Sequence, residues 1–293
     1  MSDTFELRSV KAERRKKRAE SNGAGSLRDV KAVVLAGGRG TRLAPYTTIL
    51  PKPLMPVGER SILEIVVGQL EEAGIVDINF CVGYLAHLIQ AVFENRENGH
   101  VNITYVHEQH ALGTAAPLRL VEELDNTFIV MNGDVLTTLD YRELVHYHRE
   151  QRNAVTIATH RRSIKIDYGM LHLDVASRVR DYEEKPEIAS PVSMGVYVME
   201  PSVVDYIPEE GHFDFPDLVR GLLAAGEPVG AYIHDGLWFD IGRHEDYERA
   251  IDAWGENGNG NSNGSNGQNG SASAAAPASR TDGGAPSKKG SRQ

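Results

Sequence analysis

Cysteine occurs once in these 293 residues, so no disulfide can form within the chain. That residue, Cys81, lies in an apolar strand pattern and reads as a small buried hydrophobe rather than a nucleophile. No stretch approaches the roughly 18 consecutive apolar residues of a membrane span. The N-terminus also lacks an apolar signal core, and together these absences predict a soluble, cytoplasmic protein with no membrane partner. Aromatic residues make up 7% of the chain without forming a stacking ladder, and the formal net charge is −10, which argues against nucleic acid as a partner. Histidines are present, but no helical i, i+4 pair with a third ligand occurs, so zinc is not expected; His146 and His148 would point to different sides of one helix.

Both ends read as disordered for different reasons: the first carries a basic run, and the last has almost no large apolar residue to offset the entropy of ordering. Residues 1–30 read as a disordered arm whose run Lys11 to Arg18 is basic, and residues 255–293 as a flexible tail rich in Gly, Asn and Ser. Between them, residues 31–254 are long enough for one α/β domain with a substantial core. Strand and helix patterns alternate there. Ala32 to Ala36, Asp77 to Val82, Val101 to Val106 and Thr127 to Met131 read as strands. Ser61 to Ala73, Leu85 to Asn95, Thr114 to Leu124 and Tyr141 to Gln151 read as helices, the first with a Ser61–Glu64 capping box and a Gly74 stop. Repeated βα units predict a mainly parallel sheet flanked by helices. Shorter strands follow (Ala154 to Thr159, Met170 to Asp174, Val179 to Glu184, Ser193 to Met199), then closing helices at Phe215 to Ala225 and Glu245 to Trp254.

The most informative segment is Leu35-Ala36-Gly37-Gly38-Arg39-Gly40-Thr41-Arg42-Leu43, followed by Pro51-Lys52-Pro53. It is neither a P-loop, which needs G-x-x-x-x-G-K-[ST], nor a dinucleotide fingerprint, because Leu43 stands where the third glycine belongs. A strand leading into so glycine-rich a turn lets backbone N–H groups approach an anion. Arg42 and Lys52 add positive charge within one loop's reach, as a triphosphate requires.

The string G-G-x-G-T-R-L with its downstream P-K-P resembles the signature of the sugar-1-phosphate nucleotidyltransferases. Further matches run in order: Leu112-Gly113-Thr114-Ala115, Asn132-Gly133-Asp134, Tyr168-Gly169, Glu184-Lys185-Pro186, Gly195-Val196-Tyr197 and Trp238-Phe239-Asp240-Ile241-Gly242. The resemblance, most like mannose- or heptose-1-phosphate guanylyltransferases, covers residues 31 to 254. It implies a Rossmann-like sheet of the nucleotide-diphospho-sugar transferase type with a smaller sugar-binding lobe. It also implies transfer of a nucleotidyl group from a nucleoside triphosphate to a sugar-1-phosphate. Homo-oligomers are common in such a family, though no heptad or extended apolar surface identifies an interface here.

The catalytic candidates are Arg42, Lys52, Asp134 and Lys185. The nucleotide-binding candidates are Leu35, Ala36, Gly37, Gly38, Gly40, Thr41, Glu108, Gly113 and Thr114. Asp134 and Asp240 are assigned to Mg²⁺, whose hard-oxygen preference suits one or two carboxylates plus phosphates. For the sugar, the resemblance implies that Lys185 binds its phosphate and Glu184 its hydroxyls, with Gly169 leaving the ring unobstructed. Ser193 stands where many relatives carry Asn, which leaves the sugar open. Glu108 is an acceptor only, so it favours guanine, whose N1–H and N2–H₂ are adjacent donors, over a pyrimidine with one N–H between two carbonyls. Gln109 could take that position instead. The alternatives are a thymidylyl- or uridylyltransferase acting on glucose-1-phosphate and a non-catalytic nucleotide-sugar sensor.

Overall fold

A computed structural model describes residues 27–94 and 100–257. The basic run of the expected arm and nearly all of the expected tail lie outside the described residues. Leu27 and Val30, the end of that arm, are buried.

In chain order the strands are β1 (Lys31–Ala36), β2 (Pro56–Val57), β3 (Arg60–Ser61), β4 (Asp77–Val82), β5 (Asn102–His107), β6 (Phe128–Asn132) and β7 (Val135–Thr137), followed by β8 (Val155–Lys165), β9 (Met170–Leu173), β10 (Val179–Glu183), β11 (Glu187–Met199), β12 (Val229–Ile233) and β13 (Trp238–Asp240). The helices are α1 (Ile62–Glu72), α2 (Ala86–Glu94), α3 (Tyr141–Gln151), α4 (Phe215–Ala225) and α5 (His244–Asn257). Seven strands form the central sheet in the order β12-β8-β11-β6-β1-β4-β5, with β11 antiparallel to both its neighbours and every other pairing parallel. This is the mainly parallel α/β fold that the alternating pattern predicts.

Strand alternation divides the core between two faces. Ala32, Val34 and Ala36 of β1 join Ile78, Phe80, Ile129 and Met131 in one cluster, together with Ile62, Val66 and Leu70 of α1 and Leu144 of α3. Val33 joins Cys81, Val130 and Tyr197 on the other, with Phe215, Leu218 and Leu222 of α4. Burial pushes the Cys81 thiol up to about 12, which suits a packing residue. The capping box at α1 is present: Glu64 N–H donates to Ser61 Oγ at 3.3 Å and Ser61 N–H to Glu64 Oε2 at 2.8 Å. Gly74, at φ +96°, ends the helix in the left-handed region.

The segment expected as a helix over Thr114 to Leu124 is only a 3-10 turn over Ala116–Leu120. Its N–H groups bond three residues back, as in Leu118 to Ala115 and Val121 to Leu118, while Ala115 and Ala116 donate across the fold to the Phe213 carbonyl. The Phe213 carbonyl thus anchors the start of the turn, and the bonds that close it run three residues back rather than four. The hairpin of β9 and β10 pairs only with itself, and it exposes Leu171, Leu173, Val179 and Tyr182, an apolar strip that the sequence pattern did not reveal. Among the described residues no helix is long and apolar enough to cross a membrane.

His148 of α3 is fully buried; Nδ1 lies 2.9 Å from Thr156 Oγ1 and Nε2 3.0 Å from Glu200 Oε1. Burial holds its pKa below the usual 6.5, although Glu200 works the other way. The unfolded chain therefore takes up a proton here that the folded chain resists, so stability falls as pH drops below the unfolded value. Urea unfolding at pH 7 and pH 5 should show a loss for the wild type that is smaller for His148→Gln. An equal loss in both would show that His148 carries none of the acid sensitivity.

Candidate functional site

β1, β4, β5 and β6 end on the same edge of the sheet, and the segments that follow β1, β5 and β6 line a cavity of about 420 Å³ there. Its lining includes Leu35, Ala36, Gly37, Gly38, Gly40, Arg42, Lys52, Glu108, Gly113, Thr114 and Asp134. Ligands collect at this end of open α/β sheets because parallel strands deliver successive loops there.

The glycines shape the cavity individually. A Cβ on Gly37 would lie 2.4 Å from Glu108 Oε1, so the missing side chain is what admits that carboxylate. Nothing lies within 4 Å of the corresponding point on Gly38, which leaves its backbone open to a ligand. Gly40, at φ +61°, turns the chain so that its carbonyl accepts from Thr47 Oγ1 at 2.8 Å. The chain then enters a 3-10 turn over Thr41–Leu43, pinned by buried Leu43, with Arg42 at the cavity. Thr41 begins that turn and is not part of the lining.

Against the glycine turn, where its Cβ lies 3.1 Å from the point a Cβ on Gly40 would occupy, Lys52 is buried and forms an ion pair with Asp134 Oδ2. Asp134 Oδ1 is buried without a hydrogen-bond partner. The small ladder of β7 and β13 brings Asp240 alongside, opposite Val135, and Ile241 N–H donates to the Asp134 carbonyl at 3.2 Å. Burial and the Asp134 charge hold the Asp240 carboxyl above its ordinary range, while Lys52 and Arg42 oppose the shift. Arg42 Nη1 and Asp240 Oδ1 each lie 3.7 Å from where a Cβ on Gly242 would be, so Asp240 stands beside Arg42, but it is exposed and, unlike Arg42, Lys52 and Asp134, does not line the cavity. No group of three or more His, Cys, Asp or Glu suited to a metal occurs among the described residues. A cation held here would draw on two protein carboxylates, the unpartnered Asp134 oxygen foremost, and on oxygens brought by a ligand.

Glu108 occupies the other side. It is half-buried, accepts a long hydrogen bond of 3.5 Å from Leu112 N–H, and burial raises its pKa against that bond. Asn132, His212 and Asp214 also line the cavity, and the sequence reading assigned none of them a role.

Of the sugar-binding candidates, only Ser193 is tied to the cavity wall. It lies at an irregularity of β11, where its Oγ is 3.0 Å from Tyr197 Oη and accepts from Gly195 N–H at 3.3 Å. A Cβ on Gly195 would lie 2.5 Å from Asn132 Nδ2 of that wall. Gly169, Glu184 and Lys185 lie on the exposed hairpin and do not line the cavity. Lys185 adopts φ +48° before Pro186, and Glu184 accepts from the Tyr182 hydroxyl. The space beside Gly169 is filled by the Tyr182 ring, which gives that glycine a packing reason different from ring access.

A sequence profile described as "Nucleotidyl transferase" matches residues 31–256. The chain belongs to the nucleotidyl transferase family. A UTP–glucose-1-phosphate uridylyltransferase of Synechocystis is 33% identical over 242 residues, covering 76% of this chain and 62% of its own length. A mannose-1-phosphate guanyltransferase of Yarrowia lipolytica is 34% identical over 230 residues, covering 74% of this chain and again 62% of its own. This member of the family thus spans less than two thirds of either relative. The fold matches a crystal structure of a putative glucose-1-phosphate thymidylyltransferase from Bacillus anthracis with a TM-score of 0.61 and 26% identity, over 76% of this chain and 94% of that one.

Proposed function

We propose that this nucleotidyl transferase joins a nucleoside monophosphate from a triphosphate, GTP by preference, to a sugar-1-phosphate. An oxygen of the sugar phosphate forms a bond to the α-phosphorus, the bond from that phosphorus to the bridging oxygen breaks, and pyrophosphate leaves. Two anions must approach one another, so the protein's work is positioning and charge neutralisation. The observation that carries this reading is that Arg42, Lys52 and Asp134 line the cavity beside an open glycine turn, with Asp240 near enough to feel the charge of all three.

Arg42 supports the departing phosphates through its planar fork, and Lys52 places a compact positive charge near the reacting centre. Asp134 and Asp240 would hold Mg²⁺, which supplies neutralisation of phosphate charge when bound. Lys185 and Glu184 serve the sugar phosphate and hydroxyls from the hairpin, with Ser193 at the wall. Glu108 favours guanine by offering two acceptor oxygens to adjacent N–H donors, in keeping with the guanyltransferase relative. The uridylyltransferase relative favours a second reading, in which Gln109 meets a pyrimidine.

Pyrophosphate release with Mg²⁺, measured across a grid of nucleoside triphosphates and sugar-1-phosphates, decides between them. Release with GTP supports the first reading and release with UTP or dTTP the second. A grid with no release at all would leave only a nucleotide-binding role.

A further inference from the structure

The wall of the cavity beside Glu108 is built by two segments far apart in sequence. Thr114 donates to Asp214 Oδ1 twice, from its backbone N–H at 2.8 Å and from Oγ1 at 2.9 Å, and its hydroxyl accepts from Phe215 N–H at 3.0 Å. Phe213 N–H reaches the Leu112 carbonyl at 2.8 Å, and the Phe213 carbonyl accepts from Ala115 and Ala116 at 3.0 and 3.1 Å. Gly113 adopts φ +94°, and a Cβ there would lie 2.6 Å from the Phe213 carbonyl oxygen and 2.9 Å from Asp214 Oδ1. The turn over residues 112–114 is therefore moulded by Asp214 on one side and held through Leu112 N–H by Glu108 on the other.

Asp214 is also the N-cap residue of α4, yet its carboxylate caps nothing in that helix. An aspartate at this position ordinarily accepts from the second or third helical N–H. Here Pro216 has no N–H to give, and Asp217 N–H bonds to the Asp214 backbone carbonyl at 3.0 Å. The side chain is thereby released from helix capping and turned across the fold to Thr114.

We infer that Asp214 is a positioning residue, which sets the Gly113–Thr114 backbone against the nucleoside and so governs nucleotide affinity without acting on the reacting phosphates. The inference rests on the nucleotidyl-transfer reading. Its test combines direct GTP binding by calorimetry with steady-state kinetics on the full chain. Asp214→Ala should raise the Kd and KM for GTP by about tenfold or more, the scale of lost hydrogen bonds to a charged acceptor, with kcat and the sugar-phosphate KM within about threefold of wild type. Asp214→Asn, which keeps an acceptor oxygen, should restore most of the affinity. Thr114→Val should reproduce part of the loss, and the double variant should be no worse than Asp214→Ala, because both act through one contact. Should Asp214→Ala fail to fold, Thr114→Val carries the test.

Unchanged GTP affinity in Asp214→Ala, or in Thr114→Val, would overturn the inference. So would additive losses, or a joint decline of kcat and both KM values that Asn does not rescue. A wild-type protein that binds no nucleoside triphosphate would instead overturn the parent reading.

Discussion

Asp134→Asn is expected to lower turnover by about a thousandfold, the scale of removing a group that organises transition-state charge, while the protein stays folded. The amide still accepts from Lys52 and the Asp240 charge still acts on it, so the loss of stability should be smaller than in Lys52→Ala. What disappears is a negative oxygen at the position where Asp134 Oδ1 is buried without a partner. Lys52→Ala should behave differently. It leaves Asp134 and Asp240 facing each other with only Arg42 opposing them, and breaking a mostly buried pair from one side costs about 3 kcal/mol or more. Activity and stability should therefore fall together in Lys52→Ala, and added Mg²⁺ should return part of its melting temperature by taking over the lost positive charge. Thermal melts and pyrophosphate release on the two variants check both halves. Near-normal turnover in Asp134→Asn would remove the carboxylate from the chemistry.

The second large effect concerns the base. Glu108→Gln replaces a two-oxygen acceptor with a group that has one acceptor and one donor, which mismatches the paired donors of guanine and suits a pyrimidine edge. The ratio of kcat/KM for GTP over UTP should drop by about tenfold to a hundredfold, the span of one good bidentate contact. Because burial raises the Glu108 pKa, folding disfavours the charged form relative to the unfolded chain, and the neutral variant should melt no lower than wild type. The same shift gives a pH dependence. As pH falls, Glu108 takes up a proton at a higher pH than an ordinary glutamate, one acceptor is lost, and GTP preference should decline in the wild type but not in Glu108→Gln. An unchanged nucleotide profile would leave guanine without its structural reason.

Much of this was legible from local sequence. The strand Asp77–Val82 and the helices Tyr141–Gln151 and Phe215–Ala225 have the bounds that periodicity predicts, because their ends carry local signals. Asp140 Oδ1 accepts from Arg142 and Glu143 N–H at the start of one helix, and Gly226 at φ +79° closes another. The glycine turn, Arg42 and Lys52 are neighbours in sequence, so their gathering at one cavity needed only the strand before them. Elements decided by distant partners were not legible. The ladder of β7 and β13 joins segments about a hundred residues apart, and each strand is three residues long, too short for a pattern. The turn found where a helix was expected from Thr114 is likewise held by residues about a hundred positions away, Phe213 and Asp214. In sequence, Asp214 before Phe215-Pro216 looks like any helix cap, and only the fold shows where its carboxylate turns.

The most direct measurement is a crystal structure of the protein with a non-hydrolysable GTP analogue and Mn²⁺ in place of Mg²⁺, with the metal located by anomalous scattering. The triphosphate is expected on the turn from Gly37 to Arg42, guanine beside Glu108, and a metal peak shared between Asp134, Asp240 and the phosphates. A nucleotide bound outside this cavity, or a metal peak touching neither carboxylate, would contradict that arrangement.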